Sequence, residues 1–135
     1  MRNDTPATPA PFRFYGCVIR VLDISRCRAF YANVVGLGQP VLDSNFWVEF
    51  EVVPGGMVLA LEQSQNVRPQ EGICTGNVAV CLEVLDLYGF RQRLVSHGCG
   101  PQATSTLPSG QAALTFLDPE GNPVTVIEKL SRKLP

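Results

Sequence analysis

Apolar and polar residues alternate along Asn45-Phe46-Trp47-Val48-Glu49-Phe50-Glu51-Val52, the period-two pattern of a half-buried strand. Phe46, Val48, Phe50 and Val52 form its apolar face, the one to set against a helix; Trp47, Glu49 and Glu51 share the other. Strand signals also cover about Phe14–Val21 and Met57–Glu62, and Pro54-Gly55-Gly56 turns the chain between the last two of these runs. Asp23 stands where a helix cap belongs. It predicts a helix over Ile24 to about Val34, with Phe30 and Tyr31 on the apolar side and Gly36-Leu37-Gly38 at its end.

The pattern then restarts. Ser64 to Thr75 is polar and irregular and reads as a linker. Asn77–Val84 is strand-like, and Asp86 caps a second helix reaching about Ser96, stopped by Gly98 and Gly100. Strand signals follow at Gln102–Thr106, Gln111–Leu117 and Val124–Glu128, with a tight Asp118-Pro119-Glu120-Gly121-Asn122 turn before the last. The order is read as strand, helix, three strands twice over, the first pass marking only two of its three late strands. The two capping aspartates are 63 residues apart and the hairpin glycines Gly56 and Gly121 are 65 apart, which makes Arg20 the mate of Glu83 and Gly16 the mate of Ala79. This periodicity predicts an α+β domain of two similar modules, 14–62 and 77–128, about a pseudo-twofold axis with one helix behind each. Residues 1–12 read as a flexible tail, and 13–135 as a single domain.

Composition narrows the function classes. The chain has 135 residues, 45% hydrophobic and 17% charged, with a net charge of −1; that is one globular domain with no bulk electrostatic pull toward nucleic acid or an anionic membrane. No apolar run approaches the ~20 residues of a membrane helix and no signal-peptide core follows Met1, so the expectation is a soluble, cytoplasmic protein. The five cysteines, Cys17, Cys27, Cys74, Cys81 and Cys99, show no Cys-x-x-Cys spacing and read as buried free thiols. His97, the single histidine, sits in the last turn of the second helix, where the helix dipole is reason enough for it. No Ser, Cys or Lys has the setting of an activated nucleophile, and Gly55-Gly56 lacks the Lys-Ser/Thr of a phosphate loop.

Three pieces fall in order: Val21-Leu22-Asp23 leading into Arg28-Ala29-Phe30-Tyr31, then Val35-Gly36-Leu37-Gly38, and Phe116-Leu117-Asp118-Pro119-Glu120-Gly121-Asn122. Together, on the duplicated pattern, they resemble the vicinal oxygen chelate superfamily, the glyoxalase, bleomycin-resistance and extradiol dioxygenase group, from Phe14 to Lys129. The resemblance implies two tandem βαβββ modules forming a half-barrel sheet around a concave cavity, commonly completed in a homodimer. It also implies metal ligands at four equivalent places, one on the first and one on the last strand of each module. In this chain those places fall on Gly16, Ala60, Ala79 and Thr125. None is His or Glu. A divalent cation needs three or four imidazole or carboxylate donors, and Glu62, two residues past Ala60, is a single carboxylate that a shift of register could bring into the slot. No metal and no cofactor are expected.

Alternation places Gly16, Val18 and Arg20 on one strand face and Ala79, Cys81 and Glu83 on the equivalent face of the second module. Arg20 and Glu83 are preferred as an ion pair near the axis, with ligand contact by Arg20 as the other reading. Cys81 reads as a small apolar filler, or as a thiol at the ligand if its face lines the cavity. Trp47 and Glu49 offer an aromatic wall with an acidic edge, suited to a flat or cationic ligand; core filling or a subunit contact is the competing reading.

The candidate ligand-binding residues are therefore Trp47, Glu49, Glu62, Thr125, Arg20 and Cys81, with no catalytic residue assigned. The function read from them is non-metal binding of a small organic molecule, in the manner of family members that sequester antibiotics or toxins. Bleomycin itself asks for more negative charge than the chain carries, and a planar aromatic or mildly cationic compound fits better. The alternatives are a metal-dependent lyase, isomerase or dioxygenase of the same group, and a regulatory domain acting through partner contacts.

Overall fold

The computed structural model describes residues 14–65 and 78–130. The expected tail, Cys74, Asn77 and most of the linker lie outside them. The first module consists of β1 (Gly16–Val21), α1 (Ile24–Ala29) continuing as a π-helical segment over Phe30–Val35, β2 (Leu42–Asp43), β3 (Trp47–Glu51) and β4 (Val58–Gln63). The second consists of β5 (Val80–Val84), α2 (Leu87–Ser96), β6 (Ala103–Thr106), β7 (Ala112–Leu117) and β8 (Pro123–Glu128). Each forms a four-stranded mixed sheet, in the orders β1-β4-β3-β2 and β5-β8-β7-β6, with its first and last strands parallel. The registers coincide as the repeat requires: Cys17 lies opposite Leu59 in one sheet and Val80 opposite Val124 in the other. Strand β2 has only two residues, too few to show alternation, and the sequence does not mark it.

Both helix caps form as predicted. The Asp23 side chain accepts the Arg26 N–H at 3.1 Å and Asp86 accepts the Gly89 N–H at 3.0 Å, each satisfying a first-turn donor. A second, equally symmetric device was not legible. Gln63 at the end of β4 accepts the Ile24 N–H at 2.9 Å, and Glu128 at the end of β8 accepts the Leu87 N–H at 2.9 Å. The last strand of each module thus holds the start of its own helix.

The first helix departs from the expectation of a regular α-helix to Val34. From Phe30 its turns widen, and the Gly36 N–H reaches back to the Tyr31 carbonyl. The chain leaves through Gly36 at φ 93°, a left-handed conformation suited to glycine. Arg93 of α2 donates to the carbonyls of Val34 (3.1 Å) and Asn33 (2.9 Å), so the second helix caps the end of the first. A Cβ on Gly36 would lie 3.0 Å from that guanidinium carbon.

The helix-facing sides of both sheets join one core. Val21, Val48, Phe50, Leu59 and Leu61 of the first module are buried with Leu94, Leu114, Phe116, Val124 and Val126 of the second. Across the junction the Phe30 and Phe116 rings lie 6.1 Å apart, and Phe90 sits 6.0 Å from Phe116 on the other side. Tyr31, buried, donates to Asp118 at 2.7 Å; Asp118 also accepts the backbone N–H groups of Glu120 and Asn122, each at 2.9 Å, which fixes the predicted hairpin turn. Phe46 corrects the apolar-face reading, since it is 74% exposed. It precedes β3 in a turn where the Ser44 hydroxyl takes the N–H groups of Phe46 and Trp47, so strand alternation does not govern it.

Candidate functional site

The face of the first sheet turned away from the helices carries most of the candidate residues. Register sets Val18 and Arg20 of β1 beside Ala60 and Glu62 of β4, and Trp47 and Glu49 of β3 beside Glu62 and Ala60 on the other side. Leu42 closes the row opposite Glu49. Trp47 and Glu49 therefore lie on the face that alternation assigned to them, back to back with buried Val48 and Phe50.

Glu49 is the centre of this face. The residue as a whole is 9% exposed. It accepts the Trp47 indole N–H at 2.7 Å and the Tyr15 hydroxyl, and among the described residues it has no cationic partner. Its hydrogen bond with Glu49, followed by desolvation, raises the Tyr15 phenol above its ordinary value. Tyr15 was missed because the strand expected from about Phe14 sorts it to the face opposite Gly16, Val18 and Arg20; the strand begins only at Gly16, so alternation does not govern Tyr15. Beside this group Arg20 and Glu62 form an ion pair at 3.0 Å with both side chains solvated.

That pair corrects the Arg20–Glu83 reading. Arg20 and Glu62 are direct neighbours on paired parallel strands, whereas Glu83 belongs to the other sheet and is exposed. Cys81 and Thr125 are also on the second sheet, directly opposite each other. Thr125 shares a 2.9 Å hydrogen bond with Thr115. Cys81 is exposed rather than buried, because it faces away from the helix. The structure thus brings Arg20, Trp47, Glu49 and Glu62 together, and Thr125 with Cys81 separately. The two sheets share no strand pairing among the described residues.

The four positions where the resemblance implies metal ligands do not fit a metal. Gly16 and Ala60 belong to the first sheet and Ala79 and Thr125 to the second module, and none of the four offers an imidazole or a carboxylate. Gly16 lies against the Val58 backbone, and a Cβ there would stand 1.9 Å from the Val58 carbonyl oxygen; the position cannot take a ligating side chain without moving the strands. Ala60 is fully buried, and Glu62 is engaged with Arg20 instead of replacing it. Among the described residues no three His, Cys, Asp or Glu side chains converge. His97 keeps the helix-end position read for it, its Nδ1 lying 2.9 Å from the Arg93 carbonyl. No helix among the described residues is long and apolar enough to cross a membrane.

No sequence-family model matches the chain, and no curated protein does. Solved structures match over nearly its whole length. A lactoylglutathione lyase from Agrobacterium tumefaciens superposes with a TM-score of 0.68 at 24% identity, covering 88% of this chain and 95% of that one. A member of the glyoxalase/bleomycin resistance protein/dioxygenase superfamily from Sphaerobacter thermophilus gives 0.68 at 24% identity, with 87% and 98% covered. A glyoxalase/bleomycin resistance protein from Catenulispora acidiphila gives 0.67 at 18% identity, with 87% and 98% covered. With its paired sheets in matching register and these superpositions, the chain has the fold of these glyoxalase/bleomycin resistance/dioxygenase proteins.

Proposed function

We propose that this protein binds a small organic molecule without the help of a metal, on the open face of its first sheet, and acts in the cytoplasm by sequestering it. The observation that carries this reading is Glu49. It is a nearly buried residue whose carboxylate is held by two neutral donors, Trp47 and Tyr15, with no counter-ion among the described residues. A buried charge without an opposite charge is a costly arrangement for stability alone. A planar organic cation would supply the missing charge to Glu49 and stack on the indole of Trp47. Glu51 and Glu62 add negative charge to the same face, and Arg20 offsets one of them.

The same reading includes a homodimer. Both open faces expose side chains, among them Val18, 41% exposed, and the outer edges of β1 and β5 have no strand partner among the described residues. A second copy could set its Cys81–Thr125 face against the Trp47 face and complete the cleft. Sedimentation at twice the chain mass supports this assembly; sedimentation as a single chain at micromolar concentration removes it.

Trp47 is the only tryptophan in the chain, so its fluorescence reports directly on the site. A thermal-shift screen of planar amines, antibiotics and uncharged aromatic compounds, followed by fluorescence titration of each hit, tests the proposal. The expected result is saturable quenching by a cationic aromatic, about tenfold weaker binding for Trp47→Ala, and a loss for Glu49→Gln confined to cations. Hits that bind without perturbing Trp47, or with unchanged affinity in both variants, would overturn it.

A further inference from the structure

The internal repeat exposes one place where the two modules differ in a way that leaves a site open. In the first module Arg28 of α1 pairs with Asp43 of β2 at 3.1 Å, bridging the gap between helix and edge strand. The mate of Arg28, 63 residues on, is Arg91 of α2. The mate of Asp43 follows from register. Asp43 lies opposite Val48, which lies opposite Leu61, and in the second sheet the same path runs from Val126 through Leu114 to Thr104. The arginine is kept and its carboxylate is replaced by a hydroxyl. Arg91 makes no hydrogen bond or ion pair among the described residues, and between it and β6 lies an open cavity of about 580 Å³.

The walls of that cavity state what it would accept. Arg91 supplies a cation in the place where the first module holds an arginine–carboxylate pair, and Thr104 and Thr106 supply hydroxyls from the edge strand. Leu87 and Leu114 give an apolar floor and the exposed ring of Tyr88 one side. Glu128 also borders the cavity. Its carboxylate accepts the Leu87 N–H, and its negative charge opposes a dianion more than a monoanion. We propose that this groove is a second binding site, distinct from the Trp47 face, for a small carboxylic acid with an apolar body, whose carboxylate takes the place of the missing aspartate on Arg91. An arginine fork matches a carboxylate in two parallel hydrogen bonds.

The test is a two-dimensional amide NMR titration of the full chain with hexanoate and benzoate, with phenyl phosphate and benzylammonium run alongside. Either carboxylate is expected to give saturable shifts at Tyr88, Arg91, Thr104 and Thr106. Arg91→Gln, a change at an exposed side chain, is expected to weaken that binding by about tenfold or more. Thr104→Asp supplies from within the chain the carboxylate that the first module has, and is expected to abolish binding while the spectrum stays dispersed. Absence of saturable shifts with both carboxylates, unchanged affinity in Arg91→Gln, or tighter binding of the phosphate or the amine would each overturn the proposal. None of these readouts involves Trp47, so the two sites stand or fall separately.

Discussion

The carboxylate of Glu120 accepts the backbone N–H of Asp23 at 2.8 Å, and that of Leu22 beside it at 2.8 Å. A hairpin tip of the second module therefore sits on the positive end of the first module's helix, where free donors and the peptide dipoles favour an anion. The relationship ties together two of the sequence pieces that marked the fold, Val21-Leu22-Asp23 and Asp118-Pro119-Glu120-Gly121-Asn122. Each looked like local chemistry, a helix cap and a turn. In the fold they are two halves of one inter-module contact.

Replacing Glu120 tests that contact. Glu120→Ala leaves the N–H groups of Leu22 and Asp23 to solvent and is expected to lower the unfolding free energy by about 1 kcal/mol. Glu120→Gln keeps an acceptor and should recover part of the loss. Urea denaturation of the three proteins measures both steps, with an unchanged slope required for the comparison.

Tyr31 gives a prediction in pH. Burial, then the charge of Asp118 and the hydrogen bond to it, raise its phenol well above the ordinary value of 10.0. A folded-state value above the unfolded one means a stability contribution that is complete below pH 10 and is lost as pH rises through the folded value, because the unfolded chain releases the proton first. Wild-type stability should thus fall above about pH 10, and the fall should be smaller in Tyr31→Phe. At neutral pH the same variant should be less stable by about 1.5–3 kcal/mol, the usual range for a hydrogen bond to a charged group.

The thiols should separate by reactivity. Cys27 is fully buried, and burial, with the charges of Glu120 and Asp118, pushes its thiol far above the usual range. The thiolate is the reactive form. Cys81 is exposed on the open face of the second sheet. Iodoacetamide at pH 8 followed by peptide mass mapping is expected to label Cys81 readily and to leave Cys27 unmodified until the chain is denatured. Equal labelling in the native protein would contradict the burial of Cys27.

Gly16, one of the four places where the resemblance implies a ligand, has no room for a side chain. With a Cβ forced to within 1.9 Å of the Val58 carbonyl oxygen, Gly16→Ala must push β1 and β4 apart, at a cost of about 1–3 kcal/mol, the range for overpacking. Gly16→His should be at least as destabilised. Thermal unfolding of both variants checks this; a His variant as stable as wild type would show that the slot has room.

Much of this architecture was already determined by the sequence, because its signals are local. Asp23 and Asp86 cap the helices they precede, the turn residues at 118–122 close a hairpin, and period-two alternation put Trp47 and Glu49 on the face opposite Val48 and Phe50. The duplication, read from spacings alone, predicted two modules, and the observed registers repeat between them. Tertiary structure decided what depends on residues far apart in the chain. The partner of Arg20 is Glu62 because β1 and β4 are hydrogen-bonded neighbours, and the mate in the repeat, Glu83, belongs to another sheet. Tyr15, expected inside the first strand and on its other face, precedes the strand instead and reaches Glu49. The first helix widens at Phe30, and its end is held by Arg93 from the other module. Arg28 and Arg91 occupy equal places in the repeat, yet one is paired and the other faces a cavity. Period and spacing fix which way a side chain points along its own element; only the packing of elements decides what it meets there.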